Sequence, residues 1–284
     1  HGVPKDYTGK QVSNQTFVDV LLGKKLNFGS GKTLQSGPKD HVFVYFSDHG
    51  GVGLVAFPST LLHATTLVDT LKTMNQEKKY GKMTLYIEAC ESGSMFKGLL
   101  PDNINIYATT ASNATTSSYA CYYDDELKTF LGDVYSVKWL EDSDRENLNH
   151  ETLEKQYKIV KRETNTSTVC QFGDLSMAKM KVSQFQGGAR VDNDGFDHPI
   201  LLDGGTIENP MNYFYNHSPF PPSLHRCGRD AVPGPEVPKV ILEKRLASND
   251  NDEDKTEIQK ELEKMVQGRK SLLKITIGEP LCFN

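Results

Sequence analysis

Met83-Thr84-Leu85-Tyr86-Ile87 runs directly into Glu88-Ala89-Cys90-Glu91-Ser92-Gly93. The first five residues form a continuous apolar run, the pattern of a strand buried on both faces of a parallel sheet. The six that follow are mostly polar and end in glycine, as expected of a loop at the strand's carboxyl end. A second passage of the same kind lies upstream, where Val42-Phe43-Val44-Tyr45-Phe46 leads into Ser47-Asp48-His49-Gly50-Gly51. Between the two, Ala64, Leu67, Val68, Leu71 and Met74 recur at helical spacing. A third apolar run, Ile104-Asn105-Ile106-Tyr107-Ala108, follows. Strand, helix, strand in this order predicts an α/β layer with parallel strands. Two more helices are expected over residues 131–141 and 151–162, the second with Leu153, Tyr157 and Val160 on one face.

Sites in open parallel sheets gather at the carboxyl ends of strands. Both polar loops occupy such ends, so neighbouring strands would carry His49 and Cys90, 41 residues apart, to one cleft. A thiol attacks a peptide carbonyl at useful rates only with a base beside it or a lowered pKa, and histidine titrates in the right range to be that base. Gly50 has no Cβ to keep a substrate from its backbone N–H. Together with the N–H of Cys90 it can form an oxyanion hole. Taken singly, the two side chains have ordinary readings. A cysteine after a strand is commonly a small buried hydrophobe, and a histidine in a turn is commonly polar surface. Their matching strand-end positions add weight to the chemical reading.

Composition narrows the field. The chain has 284 residues, a net charge of −5 and 37% hydrophobic residues. That is enough for one large domain or a domain with an appendage. No concentrated basic face points to nucleic acid, and no apolar run reaches the length of a membrane span. The five cysteines, Cys90, Cys121, Cys170, Cys227 and Cys282, include no Cys-x-x-Cys pair, so no zinc site is expected. Four glycosylation sequons begin at Asn14, Asn113, Asn165 and Asn216, together favouring a secretory route. Gly29-Ser30-Gly31-Lys32-Thr33 imitates the end of a phosphate loop, but Leu26 stands where that pattern needs glycine.

Beyond single residues, Tyr86-Ile-Glu-Ala-Cys-Glu-Ser-Gly-Ser-Met95 with Ser47-Asp48-His49-Gly50 resembles the legumain family of cysteine peptidases. The likeness extends through Val3-Pro4-Lys5-Asp6-Tyr7-Thr8-Gly9, Ser36-Gly37-Pro38, residues 100–105, residues 107–111, residues 117–123 and residues 139–143. It is near-continuous over residues 1–187. The resemblance implies a caspase-like α/β/α sandwich with a mostly parallel sheet, followed by a partial helical prodomain. It implies cleavage after asparagine, and more weakly after aspartate at acid pH, with His49 as base, Cys90 as nucleophile and Gly50 as oxyanion donor. It assigns Glu88, Ser117, Ser118, Tyr119 and Asp133 to the specificity pocket, and makes Asp48 a succinimide candidate. Carboxylates suit an asparagine, whose amide nitrogen offers two donors; a substrate aspartate would have to be protonated to imitate it. No metal or organic cofactor is implied. The implied partners are proteins and peptides with exposed asparagine, and cystatin-type inhibitors. The implied location is lysosomal, vacuolar or secreted. Lipid-anchor transamidases share the His/Cys arrangement and are the neighbouring reading, and a truncated chain acting only in binding is a third.

The domain reading is a peptidase domain over 1–187, a Gly/Pro/Asp/Asn-rich linker or insert over 188–235, and an activation peptide with the start of a helical prodomain over 236–284. The family's N-terminal region, which supplies an inner sheet strand, is expected to be missing, leaving a sheet edge open. Ser248-Asn249-Asp250-Asn251-Asp252 resembles an autocleavage region, making Asn249 and Asn251 candidate processing sites. Beyond it, Asp254 is positioned to cap a helix carrying Ile258, Leu262, Met265 and Val266 as a stripe.

Overall fold

The computed structural model describes residues 4–187, 227, 230–249 and 251–277, with side chains up to residue 268. Asn216, Cys282 and most of the 188–235 segment lie outside the described residues.

The quoted apolar run forms strand β5 (Lys82–Glu88), nearly all of it buried. Both of its faces meet helices, which is why it carries no polar/apolar alternation. It lies between β1 (His41–Ser47) and β6 (Ile106–Thr110) and is parallel to both. An antiparallel strand, β9 (Cys170–Gly173), completes the order β1-β5-β6-β9. The sheet is mixed and mostly parallel, flanked by helices in an α/β/α arrangement of the caspase-like kind expected.

On one face Val44, Phe46, Leu85, Ile87 and Ala108 pack against Leu67, Leu71 and Met74 of α2 (Ala64–Gln76) and Leu21 of α1 (Asn14–Leu21). On the other, Tyr86 meets Tyr135 and Trp139 of α3 (Val134–Arg145) and Val160 of α4 (Leu153–Glu163). Among the described strands β1 pairs with β5 alone, so its other side is a sheet edge. Its burial alternates, with Val42, Val44 and Phe46 inside and Tyr45 39% exposed.

Two smaller sheets lie outside the main one. β2 (Gly50–Gly51), β3 (Leu54–Ala56) and β4 (Leu61–His63) form an antiparallel meander after β1. β7 (Tyr119–Asp124) and β8 (Thr129–Asp133) form a hairpin, to which β10 (Val232–Pro233) adds on the β7 side. A short helix, α5 (Ser183–Gln186), closes the main domain. After β10 come α6 (Val237–Ser248) and α7 (Asp252–Ile277).

Three boundaries move from where the sequence alone places them. The helix expected from residue 131 begins at Val134, because residues up to Asp133 are held in β8. The third strand begins at Ile106, because Asn105 takes a left-handed turn (φ 56°). The last helix is capped by Asn251 rather than Asp254. Asn251 Oδ1 accepts the Glu253 N–H at 2.9 Å, and Asp254 already lies inside the helix. The glycine-rich decoy is a loop tied to Asp6, through the Ser30 N–H at 2.9 Å and the Lys32 ammonium at 3.2 Å.

Candidate active site

The parallel register sets Ser47 opposite Glu88 and so brings the two strand-end loops together. The Asp48 N–H donates to the Glu88 carbonyl at 3.2 Å. Gly50 lies so close to the second loop that a Cβ there would collide with the Cys90 carbonyl oxygen and the Ala89 side chain. Glycine is required here by close approach of two backbones, with no unusual φ. The His49 carbonyl is held by the Ala56 N–H at 2.8 Å, which fixes the loop to β3.

His49 and Cys90 line one cavity of about 270 Å³. Asp48, Glu88, Ser118 and Asp133 line it too, as do residues Thr129 to Gly132 of β8. Of the pocket residues expected, Ser117 and Tyr119 do not line the cavity. Alternation explains Tyr119, since Ser118, just before β7, and Ala120 within it both line the cavity. Cys90 is 3% exposed; its Sγ lies 3.6 Å from Ser118 Oγ and 3.9 Å from the Ser118 carbonyl. Among the described residues no hydrogen bond joins the His49 ring to Cys90. Catalytic contacts of this type commonly close only around substrate.

Glu88 is 1% exposed. Its Oε2 accepts both the backbone N–H and the hydroxyl of Ser136, each at 2.8 Å. Ser136 sits in the first turn of α3, so a carboxyl from another strand satisfies an orphan N–H at a helix start. Ser136 is in turn held by the Tyr45 hydroxyl at 2.7 Å. Glu88 Oε1 has no partner. Burial, and then the neighbouring Asp133 carboxylate, push Glu88 well above the usual carboxylate range. Burial also lifts Asp133, against the opposing pull of His49. The cavity therefore holds two carboxyls that resist ionisation, one of them with an unpartnered oxygen.

The remaining wall comes from far along the chain. β10 pairs antiparallel with β7, Val232 against Ala120 and Pro233 against Tyr119. The Gly234 N–H then donates to the Ser118 carbonyl at 2.9 Å. A Cβ on Gly234 would lie 2.8 Å from Cys90 Sγ, so only glycine passes here without displacing the thiol. Residues 230–237 form a strap across the cysteine. Sequence reasoning missed the strap and the Tyr45–Ser136 support of Glu88. Residues 232–235 fall in the stretch read as a linker or insert, with no hint of what they cover.

Residues 1–188 match the Peptidase C13 family over about two thirds of the chain. The chain belongs to this family. It is 46% identical to human "Legumain" over 271 residues, covering 94% of this chain and 57% of that protein. It is 41% identical to the "Hemoglobinase" of Schistosoma japonicum over 277 residues, 97% and 59% of the two chains. It is 45% identical to "Vacuolar-processing enzyme beta-isozyme 1" of Oryza sativa subsp. indica over 203 residues, 66% and 41%. The C13 chain described here thus spans about half the length of the relatives it matches.

The other candidate residues lie apart from the cavity. Asn249 ends α6 in an extended, half-exposed conformation, and Asn251 is exposed. Of the sequons, Asn14 donates its side-chain amide to the Leu61 carbonyl at 2.8 Å. Asn113 turns its side-chain oxygen onto Thr115 and Thr116, at the rim of a separate hollow of about 390 Å³. Asn165 is exposed. Among the described residues no helix is long and apolar enough to cross a membrane.

Proposed function

We propose that this C13 chain is an asparaginyl endopeptidase made as a zymogen. The observation that carries the specificity is Glu88: a fully buried carboxyl whose Oε1 has no partner, in the same cavity as Cys90. A buried acceptor left open asks for a donor from the ligand, and an asparagine amide brings two. Asp133 can take the second.

In this reading His49 removes the Cys90 proton as the sulfur attacks the carbonyl carbon after asparagine. The N–H groups of Cys90 and Gly50 stabilise the oxyanion. Protonated His49 gives its proton to the leaving amine, and a thioester remains on Cys90. Water, deprotonated by His49, attacks the thioester; the acid leaves and the thiol is restored. Aspartate is accepted only when protonated, which restricts its cleavage to acid pH. The lifted Glu88 and Asp133 fit the same acid setting, a lysosome or vacuole.

The zymogen reading rests on the strap against Cys90 and on two exposed or half-exposed asparagines, Asn249 and Asn251, just beyond α6. Incubating the full-length protein at acid pH and then offering peptides with Asn, Asp, Lys or Gln before a fluorophore tests the specificity. Preference for any residue but asparagine would refute it, and unchanged turnover in Cys90→Ala would refute the mechanism.

A further inference from the structure

The strap follows β7 for most of its length. Asp230 Oδ2 accepts the Tyr123 N–H at 2.7 Å. Val232 and Pro233 then pair with Ala120 and Tyr119, and Gly234 reaches Ser118 and Cys90. Cys121 lies in the middle of this stretch of β7 and is fully buried. Cys227 stands three residues before Asp230, and its thiol is in hydrogen-bond contact with the Cys121 thiol. Both cysteines are unbridged. Two thiols, 106 positions apart in sequence, therefore meet where the strap joins the strand it covers.

We propose that Cys121 and Cys227 are a redox latch, whose disulfide fastens the strap over Cys90. This rests on the reading of Cys90 as the nucleophile. Bridging requires the sulfurs to close to about 2.05 Å, and the two thiols already act on each other as hydrogen-bond partners. The co-reactant is a low-molecular-weight disulfide. Cys227 is half-exposed and Cys121 is buried, so Cys227 reacts first. Its thiolate attacks one sulfur of the small disulfide, forming a mixed disulfide and releasing one small thiol. Cys121 then loses its proton and attacks the Cys227 sulfur, releasing the second small thiol. Two protein thiols are oxidised and one small disulfide is reduced to two thiols. The second step is slow, because burial holds the Cys121 thiol protonated.

The latch matters because the strap is otherwise weakly held. β10 has two residues, and elements of that size open locally at little cost. With the disulfide in place residue 227 cannot leave residue 121, so an opened strap returns. Reduction removes the tether and lengthens each opening.

The test uses the full-length protein, incubated with oxidised glutathione or with dithiothreitol. Each sample is split between non-reducing tryptic mass spectrometry and timed alkylation of Cys90 by iodoacetamide. Trypsin places Cys121 in peptide 98–128 and Cys227 in peptide 227–229. The oxidised sample is expected to contain these two joined, and to alkylate at Cys90 roughly tenfold more slowly than the reduced one. Cys227→Ser is expected to alkylate at the same rate in both. Cys121 found free, glutathionylated or paired elsewhere after oxidation would overturn the latch. So would a joined pair that leaves the Cys90 rate unchanged. Neither readout needs turnover. A joined pair with protected Cys90, in a protein that fails to cleave after asparagine, would sink the specificity and leave the latch in place.

Discussion

Glu88→Gln separates the two things that Glu88 is asked to do. In the wild type Oε2 takes both Ser136 donors and Oε1 stays open. Glutamine has one acceptor, and the Ser136 N–H and hydroxyl claim it. Its NH2 must then occupy the Oε1 position and point a donor at the donor of a bound asparagine. A carboxyl can shed its proton to accept; an amide cannot. The asparagine donor left facing another donor loses its partner at a cost of about 1–3 kcal/mol, so kcat/KM for asparagine peptides is expected to fall roughly 5- to 150-fold. Stability should move the other way. Glu88 and Asp133 have folded-state pKa values raised above their unfolded ones. Such groups contribute stability that is complete below the unfolded pKa and is lost as pH rises through the folded one. The wild type is therefore expected to lose stability between about pH 5 and pH 7.5. Each unit of lift costs about 1.4 kcal/mol once the group must ionise, equivalent to roughly 3 °C in Tm for a protein of this size. Glu88→Gln removes one titrating group and should shrink the Tm loss by several degrees. Glu151 and Asp142, also lifted by burial, keep part of the slope. Thermal melts at the two pH values and peptide kinetics at the lower one check both halves. Cleavage after asparagine by Glu88→Gln at the wild-type rate, or an undiminished Tm loss in that variant, would refute the reasoning.

Three further perturbations probe the strap, the core and the processing sites. Gly234→Val places side-chain atoms where a Cβ is already 2.8 Å from Cys90 Sγ; the strap should lift and Cys90 should alkylate several-fold faster, and an unchanged rate would mean that the strap does not shield the thiol. Leu85→Ala empties a fully buried position in the central strand and is expected to cost about 3 kcal/mol in denaturant unfolding, whereas a loss below about 1 kcal/mol would show that the site collapses around the gap. Asn249→Gln combined with Asn251→Ser should stop cleavage in the 249–251 link while keeping the α7 cap, because serine serves that role as well as asparagine; sequencing of the new termini decides, and the same cut in the double variant excludes both sites.

How much of this could be read from the sequence depended on the range of the forces involved. β5 and α2 were plain because their signals are local: a run of apolar residues, and apolar residues at helical spacing. The His49 and Cys90 loops followed from those strands, since parallel neighbours put their carboxyl ends on one edge. The fit of Gly50 against Cys90 was legible as a lack of Cβ, though its reason proved to be backbone packing as well as access to substrate. The β7–β8 hairpin was hidden, because Tyr119–Asp124 carries no simple alternation and pairs with a strand that reads as the start of a helix. Ser136 could not have been found. It is an unremarkable residue in the first turn of α3, and its role exists only because Glu88 arrives from 48 residues away. The strap was out of reach for the same reason. Apart from the Asp230 carboxylate, its hold on β7 is made of backbone hydrogen bonds, which leave no trace in side-chain pattern.

The position of the strap in the chain also constrains how the cleft can be emptied. Gly234 takes the Ser118 carbonyl, and β10 takes the free edge of β7. An extended substrate lying along that edge needs the same acceptors, so strap and substrate exclude each other. α6 adds to the hold, through buried Leu242 and through Lys244 over the Tyr123 ring at 4.3 Å. Yet Asn249 and Asn251 lie after both the strap and α6. A cut there severs α7 but leaves residues 230–248 covalently joined to the peptidase domain. Cleavage at these asparagines can therefore loosen the cover by removing the partner against which α6 packs, but it cannot by itself clear Cys90. Clearing it takes a separate opening of the strap, and that is the step a bridge between Cys121 and Cys227 would hold back.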